Sequence, residues 1–135
     1  MRLLPVGFLL GALGCLAAGC GGGKDKVDDA RRGHVLRDIF VLYTQYMDAN
    51  KDQPPSNAQN LQPFAGQHQE GYQALQSGRC VVNWNTRLTL PPETNSNKIL
   101  AYEKDVPTQG GFVLRGDSTI SKMTAQEFAT ASRAN

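Results

Sequence analysis

Cysteine, histidine and tryptophan are scarce in this chain, at three, two and one among 135 residues. Cysteines at positions 15, 20 and 80 are too few for the disulfide framework that staples small exported domains, so a hydrophobic core or oligomerisation must hold the fold. Two histidines and no paired cysteines leave no zinc-ligand spacing. The chain also lacks a glycine-rich phosphate loop and a serine elbow, the motifs that hold a phosphate at a helix N-terminus or expose a nucleophile on a sharp turn. An excess of one charge is missing too. Fourteen Lys and Arg face 12 Asp and Glu, a net +2 without a basic stripe, and no nucleic-acid partner is expected. The length suits one core of about 100–150 residues and not two.

Charge is absent altogether from residues 3–19 (LLPVGFLLGALGCLAAG). Arg2 followed by this run has the layout of an export signal, a short positive region and then an apolar one. Leu16-Ala17-Ala18-Gly19-Cys20 resembles a bacterial lipobox, in which small residues precede a cysteine that receives diacylglycerol before the signal is removed. The resemblance implies a lipid on Cys20, export, and a membrane partner held through that lipid on the bacterial cell envelope. A cleaved signal without lipid, or a single span, are the other readings. For a span, 17 residues with Pro5 and four glycines is short against the roughly 17–25 that a bilayer requires. The domain reading is therefore a signal over 1–19, a glycine-led leash over 20–27 and one domain over 28–135. Removing residues 1–19 leaves 116 of the 135 residues and only Cys80 as a free thiol.

Beyond the leash, Val35, Leu36, Ile39, Phe40, Leu42, Tyr43, Tyr46 and Met47 fall within an arc of about 160° at helical spacing, with Arg37, Asp38, Thr44, Gln45 and Asp48 outside it. This predicts a long amphipathic helix over 28–48, stopped by Asn50 in a left-handed conformation and by Pro54-Pro55. Ser56 with Gln59 has the capping-box spacing for a short helix reaching Leu61 and ended by Pro63. Residues 65–78, poor in large apolar groups, are expected as a surface loop with at most one helical turn. From Arg79 the period becomes two, with Cys80, Val82 and Trp84 on one face, and a strand is expected that Leu88 and Leu90 extend or pair with. Strands over 98–103, 111–115 and 119–123 follow, the last two joined at Gly116-Asp117. Thr124 with Glu127 repeats the capping box and opens a terminal helix on which Phe128 docks and Ala129 and Ala131 pack. The fold class expected is α+β: a long N-terminal amphipathic helix on a small antiparallel sheet of three to four strands, with a short C-terminal helix.

Arg31, Leu36, Ile39 and Tyr46, then Asp48-Ala49-Asn50 and Pro54-Pro55, resemble the helix-exit pattern of type II secretion major pseudopilins and of related pilin-like families expanded in planctomycetes. Ala101-Tyr102-Glu103, Gly110-Gly111 and Gly116-Asp117 are similar to the hairpin ending of the second group. The resemblance, over about residues 28–123, implies a pilin-like head and an envelope or secretion-system partner. The prepilin glutamate beyond the cleavage glycine is missing, since Gly7 is followed by Phe8-Leu9-Leu10-Gly11-Ala12. What is implied is a pilin-like head on a lipid tether rather than a filament subunit.

Function is the least legible property. Asp48, Asn50 and Asp52 match the first three ligand positions of an EF-hand loop, but Gln53 replaces its glycine and Gln59 its bidentate glutamate, so calcium is not expected there. The resemblance implies a different calcium site in a loop of the sheet, for which Glu103, Asp105 and Asp117 are the carboxylates at hand. His34 and His68 are expected on the surface. Cys80, in phase with Val82 and Trp84, is expected in the core, and its pairing with either histidine as a thiol nucleophile is the alternative enzymatic reading. Tyr72, Trp84 and Tyr102 are expected to pack against the long helix rather than line a binding surface. With no catalytic constellation, the expectation is a non-enzymatic, envelope-tethered lipoprotein without a cofactor, in a structural or binding role. An accessory part in a type II secretion-like system is the other alternative.

Overall fold

A computed structural model describes residues 22–133. Four α-helices and four strands follow in the order α1 (Gly22–Ala49), α2 (Gln69–Gln76), β1 (Cys80–Val82), β2 (Ile99–Glu103), α3 (Val106–Gln109), β3 (Gly111–Arg115), β4 (Ile120–Met123) and α4 (Ala125–Arg133). The strands form one antiparallel sheet in the order β1-β2-β3-β4, a simple meander. The α+β class, the long first helix, the antiparallel sheet and the terminal helix are those expected, whereas α2 and α3 are additions to the expected order.

α1 is the spine. Val35, Leu36, Ile39, Leu42, Tyr43 and Met47 are buried and Phe40 and Tyr46 partly so, as the helical arc requires. Each such side chain contributes about 1.5–3 kcal/mol on removal from water. The helix begins before 28, so residues 24–27, assigned to a leash above, are helical and exposed. It ends through Asn50, but not in the manner expected. The Asn50 amide donates to the Tyr46 carbonyl at 2.8 Å, and the left-handed residues are Lys51 (φ 55°) and Asp52 (φ 61°). The Asp52 amide then closes the helix on the Met47 carbonyl at 2.9 Å.

The segment after Pro55 departs most from expectation. Residues Ala58–Gln67 form a 3-10 helix capped by Asn57, whose side chain accepts from the Asn60 amide, and Pro63 lies inside it. Residues 69–76, expected as surface loop, form α2 and bury Gly71, Tyr72 and Ala74. Gly71 sets the closest approach of α2 to α1. A Cβ on Gly71 would stand 2.6 Å from the Asp38 Cβ and 3.0 Å from the Ile39 amide nitrogen, so α2 lies against the α1 backbone where only glycine fits. Leu42, Leu61, Ala65 and Tyr72 make a core on this flank, and Tyr46 meets Phe64 edge to face at 6.3 Å.

The main core lies between α1 and the sheet, with Cys80, Val82, Leu100, Ala101 and Leu114 facing the helix. A shift in pairing between Ile99 and Ala101 turns both Leu100 and Ala101 toward α1. Ile99, Val113 and Met123 face the other way and are covered by Val106 and Phe128. Tyr102 belongs to that layer, 4.7 Å from the Phe128 ring, and so packs on α4 rather than α1. The predicted capping box is present: the Glu127 amide donates to Thr124 Oγ1 at 3.1 Å and the Thr124 amide to Glu127 Oε2 at 2.8 Å. Ala131 packs as expected, whereas Ala129 is exposed.

Leu88 and Leu90 belong to no strand. The loop they occupy is organised by Asn95, a buried amide that accepts from the Thr89 amide at 2.9 Å and donates to the Thr89 and Pro92 carbonyls at 2.8 and 3.2 Å. Backbone groups that a strand partner would satisfy are satisfied by one side chain. At the β3–β4 turn the left-handed residue is Ser118 (φ 74°). Gly116 serves close packing, since a Cβ there would lie 2.8 Å from Leu88 Cδ2 and 2.9 Å from Asn95 Cβ.

Candidate functional site

The carboxylates singled out for calcium in the sheet do not converge. Glu103 is held by Arg32, whose Nε and Nη2 donate to its two oxygens at 2.8 and 2.9 Å, and it also accepts the Phe112 amide at 2.7 Å. The Arg32 guanidinium, its pKa raised chiefly by the hydrogen bond to Glu103, stacks 5.0 Å from the Phe112 ring centre. Lys122 lies over the same ring at 5.2 Å and pairs with Asp29 at 2.6 Å. This cluster ties the N-terminal part of α1 to the sheet. Asp105 is exposed at the start of α3 without a side-chain capping bond, and Asp117 accepts the Thr119 amide at 3.0 Å within its turn. Among the described residues no group of three or more His, Cys, Asp or Glu side chains is arranged to hold a metal ion.

His68 is not a surface residue. It is half-buried at the junction of the 3-10 helix and α2, with Nδ1 2.9 Å from Asp38 Oδ1. Asp38, placed on the polar side of α1 by periodicity, is 5 % exposed because α2 closes over it. His34, one turn earlier on α1, remains exposed, 3.8 Å from the same oxygen. A buried carboxylate needs a partner, and the imidazole supplies one. No sequence spacing links positions 38 and 68; only the Gly71 contact does.

Cys80 is buried, as its phase predicts. Burial first, and then the negative charge of Glu103, push its thiol up to about 11, against the low value a thiolate nucleophile requires. Both histidines point at Asp38, and Cys80 hydrogen-bonds to neither. Tyr43 is likewise raised, to about 12, by burial, and its hydroxyl donates to the Thr86 carbonyl at 2.7 Å.

Asp48 lies in the last turn of α1 and Asp52 just beyond it, both exposed. With Phe40, Thr44 and Met47 of α1 they line a cleft of about 180 Å³ whose other wall is Leu88, Thr89, Leu90, Pro92 and Asn95, with Gly116 between. Leu90 is 88 % exposed at this cleft. The helical pattern placed Phe40 and Met47 on the apolar face, but nothing in the sequence set the Leu88–Pro92 loop opposite them.

No protein-family model, no curated protein and no solved structure matches this chain. Cys20 lies outside the described residues. Among those described, no helix is long and apolar enough to cross a membrane.

Proposed function

We propose that this chain is an exported bacterial lipoprotein, held to the cell envelope by a lipid on Cys20, whose head serves a binding or structural role without catalysis. The observation that carries the reading is the uncharged run ending in Leu16-Ala17-Ala18-Gly19-Cys20 behind Arg2. The helix-then-meander order of the head is consistent with the pilin-like resemblance of its helix exit. The raised thiol of Cys80 and the commitment of both histidines to Asp38 weigh against thiol catalysis.

The test is Cys20→Ala expressed in a bacterial host with labelled fatty acid. Loss of label together with release from membranes, or with retention of the uncut signal, is the expected result. Undiminished labelling and membrane attachment refute the lipid anchor.

A further inference from the structure

We propose that the cleft between the C-terminal third of α1 and the Leu88–Pro92 loop docks a partner polypeptide, taking up an aliphatic side chain that sits next to a lysine or arginine. The inference rests on the binding role proposed above and names the chemistry of the partner.

The cleft is apolar by construction. Phe40, Met47, Leu88, Leu90 and Pro92 supply hydrocarbon, and about 180 Å³ compares with the roughly 150 Å³ apolar cavity that admits benzene, room for one side chain. Its neutral polar groups are already engaged within the fold. Thr44 Oγ1 donates back to the Phe40 and Val41 carbonyls at 3.1 Å, turning its methyl outward. Thr89 Oγ1 is 2.8 Å from Thr94 Oγ1, and Asn95 spends its amide on Thr89 and Pro92 and its oxygen on Thr89 and Lys98. Lys98, the cation nearest this network, is itself held by the Arg87 carbonyl at 2.7 Å.

Two groups remain. Asp48 and Asp52 line the same cleft, exposed, with no ion pair and no side-chain hydrogen bond. A hydrocarbon slot flanked by two unpaired carboxylates complements an aliphatic group beside a cation. It repels phosphate, which disfavours nucleic acid and anionic lipid headgroups alike. Leu90, 88 % exposed, is the residue that docking would cover.

The test uses the full chain in lipid nanodiscs, with Met and Leu methyls isotopically labelled, titrated with capped tetrapeptides centred on Leu-Lys, Leu-Gln and Leu-Glu. Leu-Lys should shift the Met47, Leu88 and Leu90 methyls. Asp48→Asn and Asp52→Asn, both exposed and expected to fold, should each weaken it by about two- to fivefold, the range of exposed ion pairs. Leu-Glu should bind more weakly than Leu-Gln, and Leu90→Ser should weaken all three. Equal shifts with Leu-Lys and Leu-Glu, or none with any peptide, overturn the proposal. Shifts that grow with protein concentration and block the peptide overturn it in favour of a second copy as occupant. Peptide binding that survives in Cys20→Ala while membrane attachment persists there removes the lipid anchor alone; attachment lost there, with no peptide binding in the parent chain, removes the docking site alone.

Discussion

Gly71 and Gly33 are both helical glycines, and the same substitution should move stability in opposite directions at the two. At Gly33, inside α1, a new Cβ meets nothing within 4 Å, so alanine removes glycine's helix penalty of about 0.5–1 kcal/mol without a steric cost. At Gly71 the same gain is available, but the new methyl would lie 2.6 Å from the Asp38 Cβ and 3.0 Å from the Ile39 amide nitrogen. Neither atom is the free end of a flexible side chain, so relief requires α2 to back away from α1. Overpacking costs about 1–3 kcal/mol, and separation also stretches the Asp38–His68 hydrogen bond of 2.9 Å, worth about 1 kcal/mol or more because its acceptor is charged and buried. The net expectation is a loss of about 1–3 kcal/mol for Gly71→Ala against a gain of up to about 1 kcal/mol for Gly33→Ala. Urea unfolding followed by the fluorescence of the single tryptophan, Trp84, which packs on both the sheet core and the α2 flank, reads both variants. Gly71→Ala equal to or more stable than the parent would refute the close α1–α2 contact.

Glu103→Gln should destabilise by about 1 kcal/mol, since Arg32 loses its bidentate partner and keeps only Asp29 at 3.3 Å, while the glutamine oxygen can still accept the Phe112 amide. Chemical unfolding at low and high salt checks it, and a change within error at both would mean the pair is merely a surface contact. Alkaline stability follows from Cys80 and Tyr43. Both acids are raised in the folded state, from 9.0 to about 11 and from 10.0 to about 12, so the unfolded chain releases its protons first. Stability should hold below about pH 9 and fall as pH rises through the two folded values, with Cys80→Ala delaying the onset toward pH 10. A flat profile between pH 9 and 11 in circular-dichroism melts would contradict the burial of both groups.

What was legible in the sequence had a period or a local rule behind it. The apolar arc of α1 placed Leu36, Ile39 and Tyr43 in the core because burial of one helix face requires that spacing whatever covers it. Alternation at Cys80 and Val82, and the Thr124–Glu127 capping box, depend on neighbours within a few residues. The arrangement of α2 was hidden because its closest contact is made by what is missing, the Cβ of Gly71. Asp38 looked like a solvated face for the same reason, and His68 like a surface residue. The Leu88–Leu90 pair mimicked a strand, but the backbone of Thr89 between them is held by the buried Asn95 amide rather than by strand pairing.

By itself, then, the sequence determined the α+β class, the spine helix and the capped terminal helix, all set by local spacing. Tertiary structure alone decided that Asp38 meets His68, that Arg32 clasps Glu103, and that Asp48 and Asp52 line an apolar cleft. Those pairings join residues 30 to 71 positions apart, or a helix end to a distant loop, and only the folded backbone brings them within reach.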